Sequence, residues 1–359
     1  MLTVVVLLCG AELVLATPGH ETSMRVTAPA AHRATPPRPR PAPIRPPQFV
    51  VVGFDGSGGA RMWDYWLGIA QRAHAHFTFF LSGVYLIDWA HRMRYHPPEH
   101  SAGSSSIGFA ETTGDLTIAH TISGVIAGYR QGEEIATHYN GHFCSPDPGS
   151  VGHWTAADWR SELRQFDGFL FGTGTKLPFG PNEIVGSRSP CLEGKPRVLY
   201  PVLASQGFRY DAGQQVTTRT WPKRELGLWS FPLPELPFYG HTFKVVSMDY
   251  NFYANQVDES PARAENEMFR TLWNAFRASY KGKRAPLTIG EHFESWKSWV
   301  YDKALARFLL KACALPEVRC DSYQQLANFL DSLPAARLRS YETGRFPPMG
   351  NARAIIDRS

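Results

Sequence analysis

Short, largely apolar segments recur along this chain at residues 49–54, 77–81, 134–138, 184–188, 208–211, 244–249 and 287–291. Segments of that length without strict alternation fit strands covered on both faces, as in a parallel sheet. Longer stretches with helical character lie between several of them, at 61–75, 155–171 and 259–281, and a further helix ends at Gly132. Thr155 followed by Asp158 reads as a helix start, because the threonine hydroxyl can accept from a free amide of the first turn. Alternating strands and helices predict an α/β domain with a mainly parallel sheet, open or closed into a barrel. Residues 96–115, rich in Gly, Ser and Pro, predict a long loop, and no internal repeat is detectable.

The two ends differ from this middle. Residues 1–17 are apolar apart from a few positions such as Thr3, Gly10 and Glu12. The run is shorter than the ~20 residues of a membrane-spanning helix. It reads as a signal peptide, with an uncleaved anchor and N-terminal membrane association as the second reading. Residues 18–47 contain the stretch ATPPRPRPAPIRPP. Proline fixes φ and removes a donor, so this part predicts an extended linker. One domain is then expected over 48–335, followed by a C-terminal tail at 336–359. The protein is expected to be exported, either secreted or held at the cell surface or wall.

Hydrophobic residues make up 43% of the chain and aromatics 13%, which supplies a core and excludes global disorder. Much of the net charge of +5 lies ahead of the domain, in Arg25, Arg33, Arg38, Arg40 and Arg45. A basic stem of that kind suits an anionic envelope or lipid surface. No nucleic-acid motif and no basic helix face is present, so nucleic acid is not an expected partner. Of the five cysteines, Cys9 lies in the apolar start. In an exported chain the remaining four, Cys144, Cys191, Cys313 and Cys320, favour disulfides, with Cys313 and Cys320 closing a short loop. Four reduced thiols are the alternative, and the lack of any C-x-x-C pair argues against a zinc cluster.

The most specific local feature is His138-Tyr139-Asn140-Gly141-His142, straight after an expected strand. Histidines four apart share one side of a helical turn, so both imidazoles could reach one divalent ion. Surface or core histidines are the competing reading. The end of a strand favours the metal, because α/β folds gather their sites there. The run Gly56-Ser57-Gly58-Gly59 has neither a following Lys-Ser/Thr nor G-x-G-x-x-G spacing, so it does not read as a phosphate loop. No G-x-S-x-G elbow supports a serine hydrolase.

Taken in order, the segments resemble the polysaccharide deacetylases (carbohydrate esterase family 4, the NodB-homology domain). Phe49 to Phe54 followed by Asp55 resembles that family's first motif, and His76-Phe77-Thr78-Phe79-Phe80-Leu81-Ser82-Gly83 its second strand. Gly132-Glu133-Glu134-Ile135-Ala136-Thr137-His138 with His142 resembles its metal motif. Gly186-Ser187-Arg188-Ser189-Pro190-Cys191 is similar to its Arg-x-Pro-Tyr motif, and Gly207-Phe208-Arg209-Tyr210-Asp211-Ala212 to the stretch after the next helix. Pro286-Leu287-Thr288-Ile289-Gly290-Glu291-His292 resembles its final motif. The likeness spans about 48–331 and is nearest to the chitin-deacetylase-like branch.

The resemblance implies a distorted (β/α) barrel and a zinc-dependent hydrolase. His138 and His142 would hold the ion, and Asp55 would be the general base, kept ionised by Arg188. The backbone N–H of Cys191 would bind the oxyanion. His292 would protonate the leaving amine, oriented by Asp249. A Cys144–Cys191 bridge would staple the rim. Gly56 departs from the family's pattern, which places a metal-binding aspartate there. Three versions follow. Asp55 stays the base while water or another side chain completes the shell; Asp55 turns in as a ligand; or the protein is a catalytically silent cell-wall glycan binder. The implied substrate is an N-acetylhexosamine polymer such as peptidoglycan or chitin, with an esterase acting on acetylated sugars as a variant. Trp229, Trp296 and Trp299 are candidates either for core anchors or for sugar contacts.

Overall fold

The computed structural model describes residues 44–347. The expected signal segment, most of the proline-rich linker and the last part of the tail lie outside the described residues.

Along the described chain the elements run β1 (Gln48–Gly56), α1 (Arg61–Ala73), β2 (Thr78–Leu81), α2 (Ile118–Gln131), β3 (Glu134–Thr137), α3 (Ala156–Phe171), β4 (Gly186–Ser187), α4 (Pro196–Ser205), β5 (Tyr210–Asp211), β6 (Gln215–Val216), β7 (Lys223–Glu225), β8 (Leu228–Ser230), β9 (Leu233–Pro237), β10 (Lys244–Val246), α5 (Asp249–Asn255), α6 (Pro261–Lys281), β11 (Leu287–His292), α7 (Trp296–Ala312), β12 (Val318–Cys320), α8 (Tyr323–Asp331) and α9 (Ala335–Glu342). The main sheet has the order β11-β1-β2-β3-β4-β5-β8-β7, with β12 also paired to β1. Its pairs are parallel except β7 with β8. It curls into the distorted (β/α) barrel that the family resemblance implies. A second sheet, β10-β9-β6, stands beside it.

Side chains alternate across a strand, and β1 shows what that does here. Val50, Val52 and Phe54 face the helices, in one cluster with Trp63, Trp66 and Phe79. Phe49 and Val51 face the interior of the barrel, in a second cluster with Phe80, Tyr210, Phe231 and Tyr323. Asp55 continues that interior series at the carboxyl end of the strand. The β1–β11 register sets Asp55 opposite His292, which aims both side chains at one end of the barrel. The Thr155 helix start is observed: Thr155 and Asp158 form a reciprocal cap on α3.

Several expected boundaries change. The strand read at 184–188 is only Gly186–Ser187, and that at 208–211 only Tyr210–Asp211. Each pairs with its neighbours over one or two residues as the sheet curls. Residues 244–249 do not join the barrel as a parallel strand. Lys244–Val246 pairs antiparallel with β9, and Asp249 opens α5. The stretch meets the barrel edge at β11, where Met248 bridges to Gly290 and Ser247 O accepts from Gly290 N–H at 2.8 Å. The tail expected from 336 begins as α9, because Tyr341 has an apolar partner: it is buried, with its ring 5.2 Å from that of Trp221.

The loop expected at 96–115 is tied down by its backbone, Ser106 N–H to Gly141 O at 2.8 Å and Ala110 N–H to Ile87 O at 2.9 Å. Its last residue, Asp115, accepts from Ala60 N and Arg61 N, both at 3.1 Å. Ala60 has no side chain to cap α1, so the loop supplies the cap. Disulfides join Cys144 to Cys191 and Cys313 to Cys320.

Candidate active site

A cavity of about 960 Å³ opens at this end of the barrel, lined by Asp55, His138, His142, Cys191 and His292 among others. Arg188 and Asp249 stand directly behind it. The Arg188 guanidinium is fully buried and donates through Nη1 to Asp55 Oδ1 at 2.7 Å. Its other bonds run to the carbonyls of Gly53 and Ala212 and to the Tyr323 hydroxyl. It also lies over the Phe80 ring, 4.4 Å from the centroid. A charge this deep is tolerable because its donors are met on several sides. Burial alone would raise the Asp55 carboxyl; the positive field of Arg188 is the main influence that outweighs it, and Asp55 stays below its usual 3.8.

On the neighbouring strand the order of effects ends differently. Burial alone would lower the His292 imidazole. Asp249 outweighs it, accepting from Nδ1 at 2.7 Å and from the His292 backbone N–H at 3.0 Å, and His292 stays above its usual 6.5. Asp249 is itself buried, at 1% exposure. One cavity therefore holds a carboxylate that keeps its charge to low pH and an imidazole that keeps its proton toward neutrality.

The paired histidines do not lie on a helical turn, as their spacing suggested. Residues 138–142 form an irregular turn with positive φ at Tyr139 (59°) and His142 (59°), and it brings the two rings to a centroid distance of 5.1 Å. His138 Nδ1 lies 2.8 Å from Arg188 O, which leaves Nε2 buried and without a partner among the described residues. Burial pushes His138 down, and it pushes His142 down to about 3, aided by the neighbouring imidazoles. Two neutral imidazoles, one with an orphaned buried nitrogen, have the donor chemistry of a zinc site. Among the described residues, however, no third His, Cys, Asp or Glu donor closes with both histidines to within 4.8 Å. The one trio of such donors that closes, His142, Cys144 and Cys191, leaves out His138 and has its two sulfurs joined in a disulfide.

The turn is held by a residue the sequence reading missed. Glu162 of α3, fully buried, accepts at Oε1 from the Asn140 backbone N–H (3.1 Å) and the Tyr95 hydroxyl (2.8 Å), and Tyr95 accepts from Gly141 N–H (3.0 Å). Asn140 Nδ2 donates to the Glu162 carbonyl at 2.9 Å. Burial pushes the Glu162 carboxyl up to about 7. The available signal was an acid on the apolar face of a helix, beside Trp159, Leu163 and Phe166. Glu162→Ala strands two donors in the interior and is expected to cost about 2–4 kcal/mol in urea unfolding. Glu162→Gln, which keeps an acceptor there, should recover most of that loss.

Of the three tryptophans singled out, Trp296 lines the cavity, with its ring 5.1 Å from His292 and stacked on Tyr253. Trp229 is 4% exposed and donates to Asp331, and Trp299 packs beside Tyr65, so both serve the core.

No protein-family model matches the chain, nor does any curated protein. Solved structures do. A candidate polysaccharide deacetylase from Mycobacterium smegmatis is 18% identical, with a TM-score of 0.52 over 86% of this chain and 96% of that one. The peptidoglycan deacetylase PdaC from Bacillus subtilis is 10% identical, with a TM-score of 0.46 over 82% and 96%. The chitin deacetylase of Colletotrichum lindemuthianum is 13% identical, with a TM-score of 0.42 over 76% and 85%. The first of these likenesses covers nearly the whole of a known barrel, and it agrees with the motif order read along the sequence. The chain carries the fold of the polysaccharide deacetylases, the NodB-homology domain.

Proposed function

We propose that this protein is a metal-dependent hydrolase that removes acetyl groups, chiefly from nitrogen, on an exported polymer of N-acetylhexosamine such as peptidoglycan or chitin. The observation that carries the reading is the pairing of an ionised Asp55 on Arg188 with a protonated His292 on Asp249, on adjacent strands of one cavity. His138 and His142 would hold the ion, zinc by their donor chemistry. A zinc ion held there lowers the pKa of water and polarises a carbonyl. Asp55 has one oxygen engaged by Arg188 and keeps the other for the proton of the attacking water. The N–H of Cys191 binds the developing oxyanion of the acyl group. His292 delivers its proton to the leaving amine, while Asp249 fixes which ring nitrogen faces the substrate. Cys144–Cys191 closes the rim behind Cys191. Both disulfides and the apolar start support a location outside the cytoplasm, with the basic stem against an anionic surface.

The test is metal content together with acetate release from N-acetylglucosamine oligomers and peptidoglycan by the full chain. Zinc near one equivalent and acetate release that chelator abolishes would sustain the proposal. The second reading, a catalytically silent glycan binder, rests on Gly56 and the open side of the donor set. Zinc uptake without acetate from any substrate would favour it.

The pH profile tests the acid separately. The reaction needs His292 protonated, so activity should fall as pH rises through its elevated pKa, above 6.5. Asp249→Asn removes the main effect holding that pKa up. The alkaline limb should then move to lower pH, by about one unit or more. A limb left in place would assign it to another group.

A further inference from the structure

No side chain projects from Gly56, whose φ of 90° is one that side-chain-bearing residues rarely adopt. A Cβ built there would meet the Tyr85 ring at 3.5 Å and its hydroxyl oxygen at 3.8 Å. Two residues on, a Cβ at Gly58 would stand 2.7 Å from Cδ2 of the same ring and 2.4 Å from Leu116. These glycines act together: they let the Tyr85 ring lie against the backbone that follows Asp55. The position that lacks a side chain is thus filled from another segment, the turn after β2.

Tyr85 lines the same cavity as Asp55, His138 and His142, and its hydroxyl makes no hydrogen bond among the described residues. Ser82, on the same wall, has a buried Oγ that is also without a partner. A buried polar atom left unpaired is costly, so Ser82 Oγ marks this wall as facing something polar. The same cavity holds the orphaned Nε2 of His138 and a pair of histidines that no third His, Cys, Asp or Glu donor joins among the described residues.

We propose that the Tyr85 phenolic oxygen completes this donor set, on the Gly56 side, for the ion that His138 and His142 hold. The assignment rests on the metal-dependent reading above and adds the ligand that reading lacks. With Tyr85 as the third donor, Asp55 is left on Arg188 as a base.

The test uses the full chain and reads metal binding, not turnover. Zinc affinity is measured by competition with a chromogenic chelator, and Co2+ is substituted for its visible spectrum. Tyr85→Phe keeps the ring against Gly58 and is expected to bind zinc about tenfold more weakly, with altered Co2+ bands. Tyr85→His offers a nitrogen for the oxygen and should bind within about threefold of the parent, with bands shifted again. Equal zinc affinity and superimposable Co2+ bands in the parent and Tyr85→Phe overturn the assignment while leaving the hydrolase reading intact. If circular dichroism shows Tyr85→Phe unfolded, Tyr85→His decides: shifted bands support the assignment, and unchanged bands overturn it. A parent chain that takes up no zinc overturns both readings.

Discussion

Asp55→Asn should lower acetate release by about a thousandfold or more while leaving zinc content near the parent value. The size follows from the role: an amide oxygen has almost no affinity for the proton that the attacking water must lose. Retention of zinc follows from the geometry, because Asp55 Oδ1 is bound to Arg188 at 2.7 Å and no trio containing Asp55 and both histidines closes to within 4.8 Å. Acetate release and zinc content are measured on the same preparation. Loss of both would make Asp55 a ligand, the second of the versions that Gly56 leaves open. Activity preserved in Asp55→Asn would remove it from the mechanism.

Arg188→Met should give the largest loss of stability, about 3–5 kcal/mol in urea unfolding. The side chain is fully buried, and its removal leaves the Asp55 carboxylate without its cation and the acceptors on Gly53, Ala212 and Tyr323 unpaired. The sign of the pH dependence can be worked out. In the parent, Asp55 lies below 3.8, so it contributes stability above that value, and the contribution is lost as pH falls through its depressed pKa. Without Arg188 the effect of burial prevails and the pKa rises. The carboxylate then opposes folding as pH climbs toward neutral. The gap between the two proteins should therefore widen from acid to neutral pH. Adding Asp55→Asn to Arg188→Met should recover part of the loss, because the unpaired buried charge is gone. A gap that stays constant with pH would assign the loss to packing alone.

Much of the scaffold was legible because it depends on local pattern. A run such as Phe49-Val50-Val51-Val52 can satisfy both its faces only between helices and a barrel interior, and β1 does so. Thr155 and Asp158 announced a helix start because a cap is made within one turn. Less was legible where a residue's state depends on distant partners. The sheet leaves Gly186–Ser187 paired over so few residues that no run of apolar side chains could mark its ends. The spacing of His138 and His142 suggested a helix, but the chain turns there through two residues of positive φ, clamped by Glu162 from α3. Tyr85 carried no signal at all; its place beside Gly56 arises from the turn after β2.

The sequence by itself determined most of the parallel strands and the order of the segments with Asp55, His138, Arg188, Asp249 and His292 at or near their ends. Periodicity and chain order encode these, and both act over a few residues. The tertiary structure alone decided the protonation states, the shape of the histidine turn and what stands against Gly56. Each of those is set by groups far apart in the chain, Arg188 on Asp55 and Asp249 on His292. Their fields act with full strength only once folding has removed the water between them.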